Sequence, residues 1–500
     1  MSVDSHPYRG GGAAGYAAPI DRPPKLAWRL IPQIDRDPRC VAAIQRTPGR
    51  ILLAAAVAAL VALFHLAGID FVAALLAIGV AYAGRLRRIL IPLATLLLLA
   101  QNGFFYDAPL VKLVAAQEGV ADRVDHSLLQ VAMLVLVIAL FSGLLGFWQR
   151  IATIPAFRRS TLCLVATFLG LVMVAQSTAG MPRVLLWSFL MTCLPYLWFL
   201  AYALAGAGGK EQPAFWQHLG VFHPFWGSSL TPFGKGLAYL QKFEAKTPEE
   251  LAVTQLKGLK LAAWALLLLG TRNSIIAIVH GHLGLASFDE TFLHHVAGAP
   301  DPRIIGWLSL VDFFIEDLLT MTVFGGVIVA AARLAGFRLL RNTYRPLEST
   351  TLAEFWNRYY FYFKELLVDH FFYPTFLRYF RNHRRLRMFF ATFVAACVGN
   401  LLFHLIRDIH FVAEMGLWNA VVGEQSHALY TFVLAVSVGL SQMRQKPRKP
   451  ARGWLRDRVL PCLWVAAFFC VLHFFDAPLD REHTLAQRGE FLLYLLGLTT

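Results

Sequence analysis

Two residues in one apolar stretch have the types and spacing of a proton-transfer pair. Asn400 and His404 lie four apart within the run 386–406, so on a helix they share a face. An amide or carboxylate on one ring nitrogen fixes the imidazole tautomer and leaves the other nitrogen as a base. Abstraction of a hydroxyl proton requires such a base. Asp408 extends the same line. The run has roughly 20 apolar residues, enough to cross a bilayer. An ionisable group there is costly and by default a functional candidate. The same spacing also fits a histidine hydrogen-bonded between helices, with Asn400 as interhelical glue.

The segment that leads into this run, 336–385, is too polar to span and too aromatic for an ordinary loop. Trp356, Tyr359, Tyr360, Phe361, Tyr362, Phe363 and Phe371 alternate with Arg358, Lys364, Glu365, Asp369 and His370. Such a composition suits an interfacial or re-entrant helix lining a cavity. It suits equally an amphipathic helix lying at the headgroups. His370 is a candidate to face such a cavity, and His223, just before Pro224, reads as positional. His280, His282, His294 and His295 flank a predicted exterior loop with no matched carboxylate or cysteine pattern, so no metal site is expected. The sequence has no phosphate-cradling glycine loop, nucleophile elbow or HExxH.

These residues must be positioned by a membrane bundle. The chain is 57% hydrophobic and 15% charged, the composition of a polytopic all-α integral membrane protein. Apolar runs lie near 51–67, 71–84, 89–104, 127–147, 160–180, 183–206, 258–280, 304–335, 386–406, 425–443, 459–475 and 487–498, giving about 12 candidate crossings. Residues 1–45 read as a flexible cytoplasmic tail, and 46–500 as one membrane-embedded domain with a long mixed loop from Ala207 to Lys257. No cleavable secretory signal is expected, since the first apolar run starts at Ile51.

The net charge of +15 follows from basic cytoplasmic loops, so nucleic acid is not an expected partner. Arg85, Arg87, Arg88, Arg150, Arg158, Arg159, Lys235, Lys242, Lys446, Arg448 and Lys449 fall on one side. Asp107, Glu118, Asp122, Asp289, Glu290, Asp476 and Asp480 fall on the other. That alternation places both termini inside a plasma (inner) membrane. The six cysteines show no CxxC spacing and read as small buried hydrophobes.

The stretch GFRLLRNTYRPLESTTLAEFWNRYY resembles the core of the membrane-bound O-acyltransferases, in particular the bacterial branch of the alginate O-acetylation and teichoic-acid D-alanylation membrane subunits. The matching residues are Gly336-Phe337, Tyr344-Arg345-Pro346, Glu354-Phe355-Trp356, Arg358, Tyr359, Asp369 and Pro374. The resemblance covers about 215–435 and continues faintly through LHFFDAPLDREHTLAQ, from Leu472. It implies a helical bundle around a central tunnel, and transfer of an acetyl or other short acyl group. The donor is a thioester, acyl-coenzyme A or an acyl-carrier protein. The acceptor is a hydroxyl on a glycan, lipid or partner protein.

His404 then holds the family's essential histidine position, with Asn400 beside it and Tyr360, Asn357 or Asn400 as donors to the developing oxyanion. Trp356, Asn357, Arg358, Tyr359, Asp369 and His370 are the implied substrate-contacting residues. Arg358, Arg378, Arg381, Arg384 and Arg385 suit an anionic donor, and suit the positive-inside bias equally. No permanently bound cofactor is implied, and relatives in the glycan branch work with a second, extracytoplasmic protein.

The sequence departs from the family in three places. Leu405 follows His404 where the family has Gly. Tyr360 stands where it often has His, Asn or Asp. Gly325-Gly326 replace an upstream Ser-Asp pair. These mark a divergent subfamily. Two other classes fit many spans with intramembrane polar groups: a transporter or flippase, and a non-catalytic membrane scaffold.

Overall fold

The computed structural model describes residues 30–64, 68–151, 154, 159–206, 213–444, 453–476 and 483–499. It is helical throughout, and the one β-bridge among the described residues pairs Glu244 with Phe337. Helices occupy all twelve apolar runs. Among the described residues six are long and apolar enough to cross a bilayer: His126–Trp148, Ser160–Ser177, Met181–Gly206, Pro248–His282, Arg303–Leu334 and Arg384–Arg407. A seventh is reached if Pro38–Gln45 and Thr47–Leu63, bent by 100°, count together.

The expected count of about 12 crossings is therefore not met by this measure, for more than one reason. Gly68–Ala81 has 14 residues; at about 1.5 Å per residue it rises roughly 21 Å, short of the roughly 30 Å hydrocarbon core. Leu460–His473 continues the π-helical turn Leu455–Val459, and that helix is long enough but opens on Arg456, Asp457 and Arg458.

The tail is also corrected at its C-terminal end. Asp37 caps the Pro38–Gln45 helix by accepting from Arg39 N at 2.8 Å. Val41 and Ile44 are buried, and Asp35 pairs with Lys260. Residues 1–29 lie outside the described residues, as do Arg158, Lys446, Arg448, Lys449 and Asp480 of the loop-charge pattern.

The longest packed pair is Pro248–Ile276 against Arg303–Leu334. The first helix starts cleanly: Thr247 accepts from Glu250 N at 3.1 Å, Pro248 sits in the first turn, and Glu249 and Glu250 complement the helix dipole. The second carries Gly325. A Cβ there would lie 2.5 Å from the Asn342 side chain, so glycine lets the connecting strand of chain pack against the helix. Asn342 in turn accepts Phe361 N at 2.9 Å through its carbonyl and Tyr362 N at 3.3 Å through its amide oxygen.

The Ala207–Lys257 loop is more ordered than its composition implies. Its described part contains the short helices Phe215–Leu219 and Leu237–Phe243. Phe222, Phe225, Trp226 and Phe233 are buried. His223 has φ 51° and packs between Phe105 and Phe199, each 4.8 Å away by ring centroid.

The aromatic segment folds inward. Leu352–Tyr359 is followed by a break at Tyr360 (φ −134°, ψ 84°), then Phe361–Leu367, the π-helical turn Val368–Phe372, and Tyr373–Arg378. Every residue of Phe361–Leu367 is buried. Of the two readings of this segment, the structure therefore has the one packed within the protein. A second π-helical turn, Val394–Gly399, precedes Asn400. A Cβ on Gly399 would lie 2.7 Å from the Phe371 ring, so glycine brings the Asn400–Arg407 helix hard against the aromatic segment.

The loop charges give a direct test of orientation. In membrane vesicles, single cysteines introduced at Lys242 and at Asp289 in a background without native cysteines are expected to react with an impermeant maleimide from opposite sides. Reaction from the same side would overturn the topology.

Candidate functional site

The Asn400–Arg407 helix carries Asn400 and His404 one turn apart, with Asp408 just past its end, but the partners are not those expected. Asn400 is 1% exposed, and its amide oxygen has no hydrogen-bond partner among the described residues. It therefore does not anchor the imidazole through that oxygen. Asp408 takes Arg407 in a bidentate pair at 2.8 and 2.7 Å.

The nearest ring to His404 comes from another helix. The His427 imidazole, in Gln425–Met443, lies 3.9 Å away by centroid at an interplanar angle of 32°. His427 Nδ1 is 3.1 Å from Asp476 Oδ1. A carboxylate at Nδ1 fixes the proton on that nitrogen and leaves Nε2 as the lone-pair side. That Nε2 is buried with no partner among the described residues.

A second couple adjoins it. Tyr359 donates its hydroxyl hydrogen bond to Asp317, which also takes His473 Nε2 at 3.2 Å. His473 Nδ1 faces the Phe469 carbonyl at 2.9 Å. Both ring nitrogens thus meet acceptors, the arrangement of an imidazolium paired with a carboxylate. Tyr359, implied as a substrate-contacting residue, is engaged inside the fold by this couple.

The remaining expected site residues divide among three places. Tyr360 hydrogen-bonds Ser229 at 3.2 Å, and its ring reaches Phe363 at 5.6 Å. Phe363 touches His404 at 6.0 Å and Phe403 at 4.8 Å, so one phenyl ring connects Tyr360 to the imidazole. Trp356 packs edge-on against the same Phe363 at 6.3 Å. Asn357 and Arg358 lie on the adjoining helix. Arg358 is tied to Glu354 at 2.5 Å and to the Arg345 carbonyl at 3.3 Å, which offsets the charge expected to attract a donor. Further along, His383, Arg384, Arg385 and Leu386 line an open depression.

Asp369 and His370 belong to a buried polar knot. Lys235 lies 2.5 Å from Glu365 and 2.9 Å from Asp369, Glu365 also pairs with Lys364, and Tyr202 donates to Asp369 at 3.1 Å. Burial opposes the charge on Lys235, but the Asp369 and Glu365 carboxylates outweigh it and raise its pKa, so the ammonium persists. His370 Nδ1 is hydrogen-bonded to Thr161 at 2.7 Å. Burial, with Lys235 nearby, pushes its pKa down to about 3, which makes it a neutral structural ring.

Sequence reading missed His427, Asp476, Asp317 and His473. The signal was present, because His427 and His473 are each imidazoles in apolar runs, as His404 is. Carboxylates also reach a histidine set aside as unmatched: His280 Nε2 lies 2.9 Å from Asp312 and 3.4 Å from Glu316.

The knot and the Arg358 pair should separate cleanly in stability. Lys235→Met leaves two carboxylates buried short of a partner and is expected to cost about 3–5 kcal/mol. Arg358→Ala, at a partly exposed pair, is expected to cost no more than about 1 kcal/mol. Unfolding midpoints of the purified proteins in detergent measure both.

No family model matches this chain, and no curated protein matches it.

Proposed function

We propose that the chain is a membrane-bound O-acyltransferase, moving an acetyl or other short acyl group from a thioester to a hydroxyl. The observation that carries this reading is the His404–His427 ring pair anchored by Asp476. It lies on the helix where the sequence resemblance places the essential histidine. His404 takes the acceptor's hydroxyl proton as the oxygen attacks the thioester carbonyl carbon. The tetrahedral intermediate collapses with loss of thiolate, and the proton held on the imidazole passes to that sulfur. His427 packs against His404 at a tilt, limits the ring's movement, and is itself oriented by Asp476. General-base catalysis of this kind contributes about 10² to 10⁴ in rate.

The donor is acyl-coenzyme A or an acyl-carrier protein arriving from the cytoplasm, where the basic depression at Arg384 and Arg385 attracts phosphate groups. The acceptor is a glycan, a lipid or a protein at the outer face, reached through a tunnel in a bundle of about 12 embedded segments with both termini inside the plasma (inner) membrane. An extracytoplasmic partner fits the glycan case. The Tyr360 hydroxyl, directed to Ser229, acts in this scheme as a wall residue and not as an oxyanion donor. The transporter reading draws on a different observation, the buried Lys235–Glu365–Asp369 knot, since permeation paths use such groups.

His404→Ala is expected to lower thioester consumption by about two to four orders of magnitude, with a melting temperature near wild type. Asp476→Asn, which keeps the shape but weakens the anchor, is expected to lose about 10- to 100-fold. Thiol release from acetyl-coenzyme A and from acyl-carrier donors, measured beside melting temperature, checks both. Wild-type turnover in His404→Ala would remove the catalytic assignment.

A further inference from the structure

We propose that His280, Asp312 and Glu316 form a binding site for a divalent first-row transition ion, of which zinc suits the ligand set best. The site lies away from His404. It joins the end of the Pro248–His282 span to the middle of the Arg303–Leu334 helix. Asp312 and Glu316 are four apart on the latter, so both carboxylates leave one face. His280 sits in the π-helical turn Ala277–His282, and such turns re-aim side chains out of the regular helical register.

One oxygen or nitrogen from each of the three residues lies within 4.8 Å of the others. His280 Nε2 is 2.9 Å from Asp312 Oδ2 and 3.4 Å from Glu316 Oε1. Zinc binds nitrogen and oxygen at about 2.0–2.2 Å, which sets tetrahedral ligand atoms about 3.4 Å apart. The three atoms need little movement to reach that geometry.

The outer contacts are those a metal-binding histidine requires. Nδ1–H is directed at the Leu285 carbonyl, 2.8 Å away, which fixes the tautomer with the Nε2 lone pair toward the carboxylates. Glu316 Oε1 is buried and forms no hydrogen bond among the described residues. Arg272 stands 3.6 Å from the other Glu316 oxygen, close enough to orient the carboxylate. With a neutral imidazole, two carboxylates and one guanidinium, the site carries a net negative charge that a divalent ion offsets. The His280 side chain is 29% exposed, and three protein ligands leave one position of a tetrahedral ion for water. This exceeds an acidic cluster: it is a mixed nitrogen and oxygen set with a fixed donor nitrogen.

A proton competes with the ion for Nε2, because an imidazolium also satisfies both neighbours. Metal binding must then displace protons. Untagged full-length protein in detergent, stripped with chelator and titrated with zinc in two buffers of different ionisation enthalpy, is expected to bind a single ion per chain with proton release. The double variant Asp312→Asn/Glu316→Gln keeps the side-chain volumes and is expected to lose more than about 100-fold in affinity, beyond the roughly 10- to 100-fold that outer contacts are worth. Cobalt(II) bound to the wild-type protein gives a readout that needs no variant, an intense visible ligand-field band of a four- or five-coordinate site. No stoichiometric zinc, no cobalt band, or equal affinity in the double variant would each overturn the site.

Discussion

The ammonium of Lys235, held between Glu365 and Asp369, is the interaction on which the arrangement of this protein most depends. It comes from the loop that follows the Met181–Gly206 span and closes on the aromatic segment, 130 residues later. A charge so far from water persists only if it is paired and hydrogen-bonded. Glu365 and Asp369 also take Lys364 and Tyr202, so the knot fixes loop, segment and bundle together. The direction it imposes on Phe361–Leu367 brings Phe363 to His404. The imidazole's surroundings are thus set by an ion pair in which His404 takes no part.

The same logic recurs with histidine in place of lysine. His427 meets Asp476, His473 meets Asp317, and His280 meets Asp312 and Glu316. In each case imidazole and carboxylate come from different elements. Histidine is suited to this because its neutral form costs little to bury and its charged form rewards a nearby carboxylate. What separates the three is the second ring nitrogen. In His473 and His280 it donates to a backbone carbonyl, which completes a structural or ligating role. In His427 it is Nε2, buried without a partner among the described residues and beside a second imidazole.

Aromatic packing does the positioning between these polar couples. Phe355 stacks on Phe469 at 3.8 Å, Trp198 on Phe403 at 5.7 Å, and Phe363 joins Phe403 to the segment bearing Trp356 and Tyr360. Large rings with few rotamers hold neighbouring helices at fixed offsets. The π-helical turns at Val368–Phe372 and Val394–Gly399 let two such surfaces meet where a regular helix would turn them apart.

From the amino-acid sequence alone came the helical class, the positions of the twelve longest apolar runs, and His404 as a candidate; the short apolar helix Ala108–Gln117 was not among those runs. These are local quantities: the length of an apolar run, the cost of an ionisable group within it, and the four-residue repeat that sets Asn400 and His404 on one face. It also set the inward character of the aromatic segment against its surface alternative only as far as composition allows, leaving both open. Tertiary structure decided the rest. Spacing along the chain specifies neighbours within a turn or two of helix and is silent beyond that. His427 and Asp476 beside His404, Asp317 beside His473 at a separation of 156 residues, and the carboxylates beside His280 are all contacts between elements. Length, charge and hydropathy together set which helices can cross. Only the packing of helices whose buried charges had to find partners chose which polar groups meet.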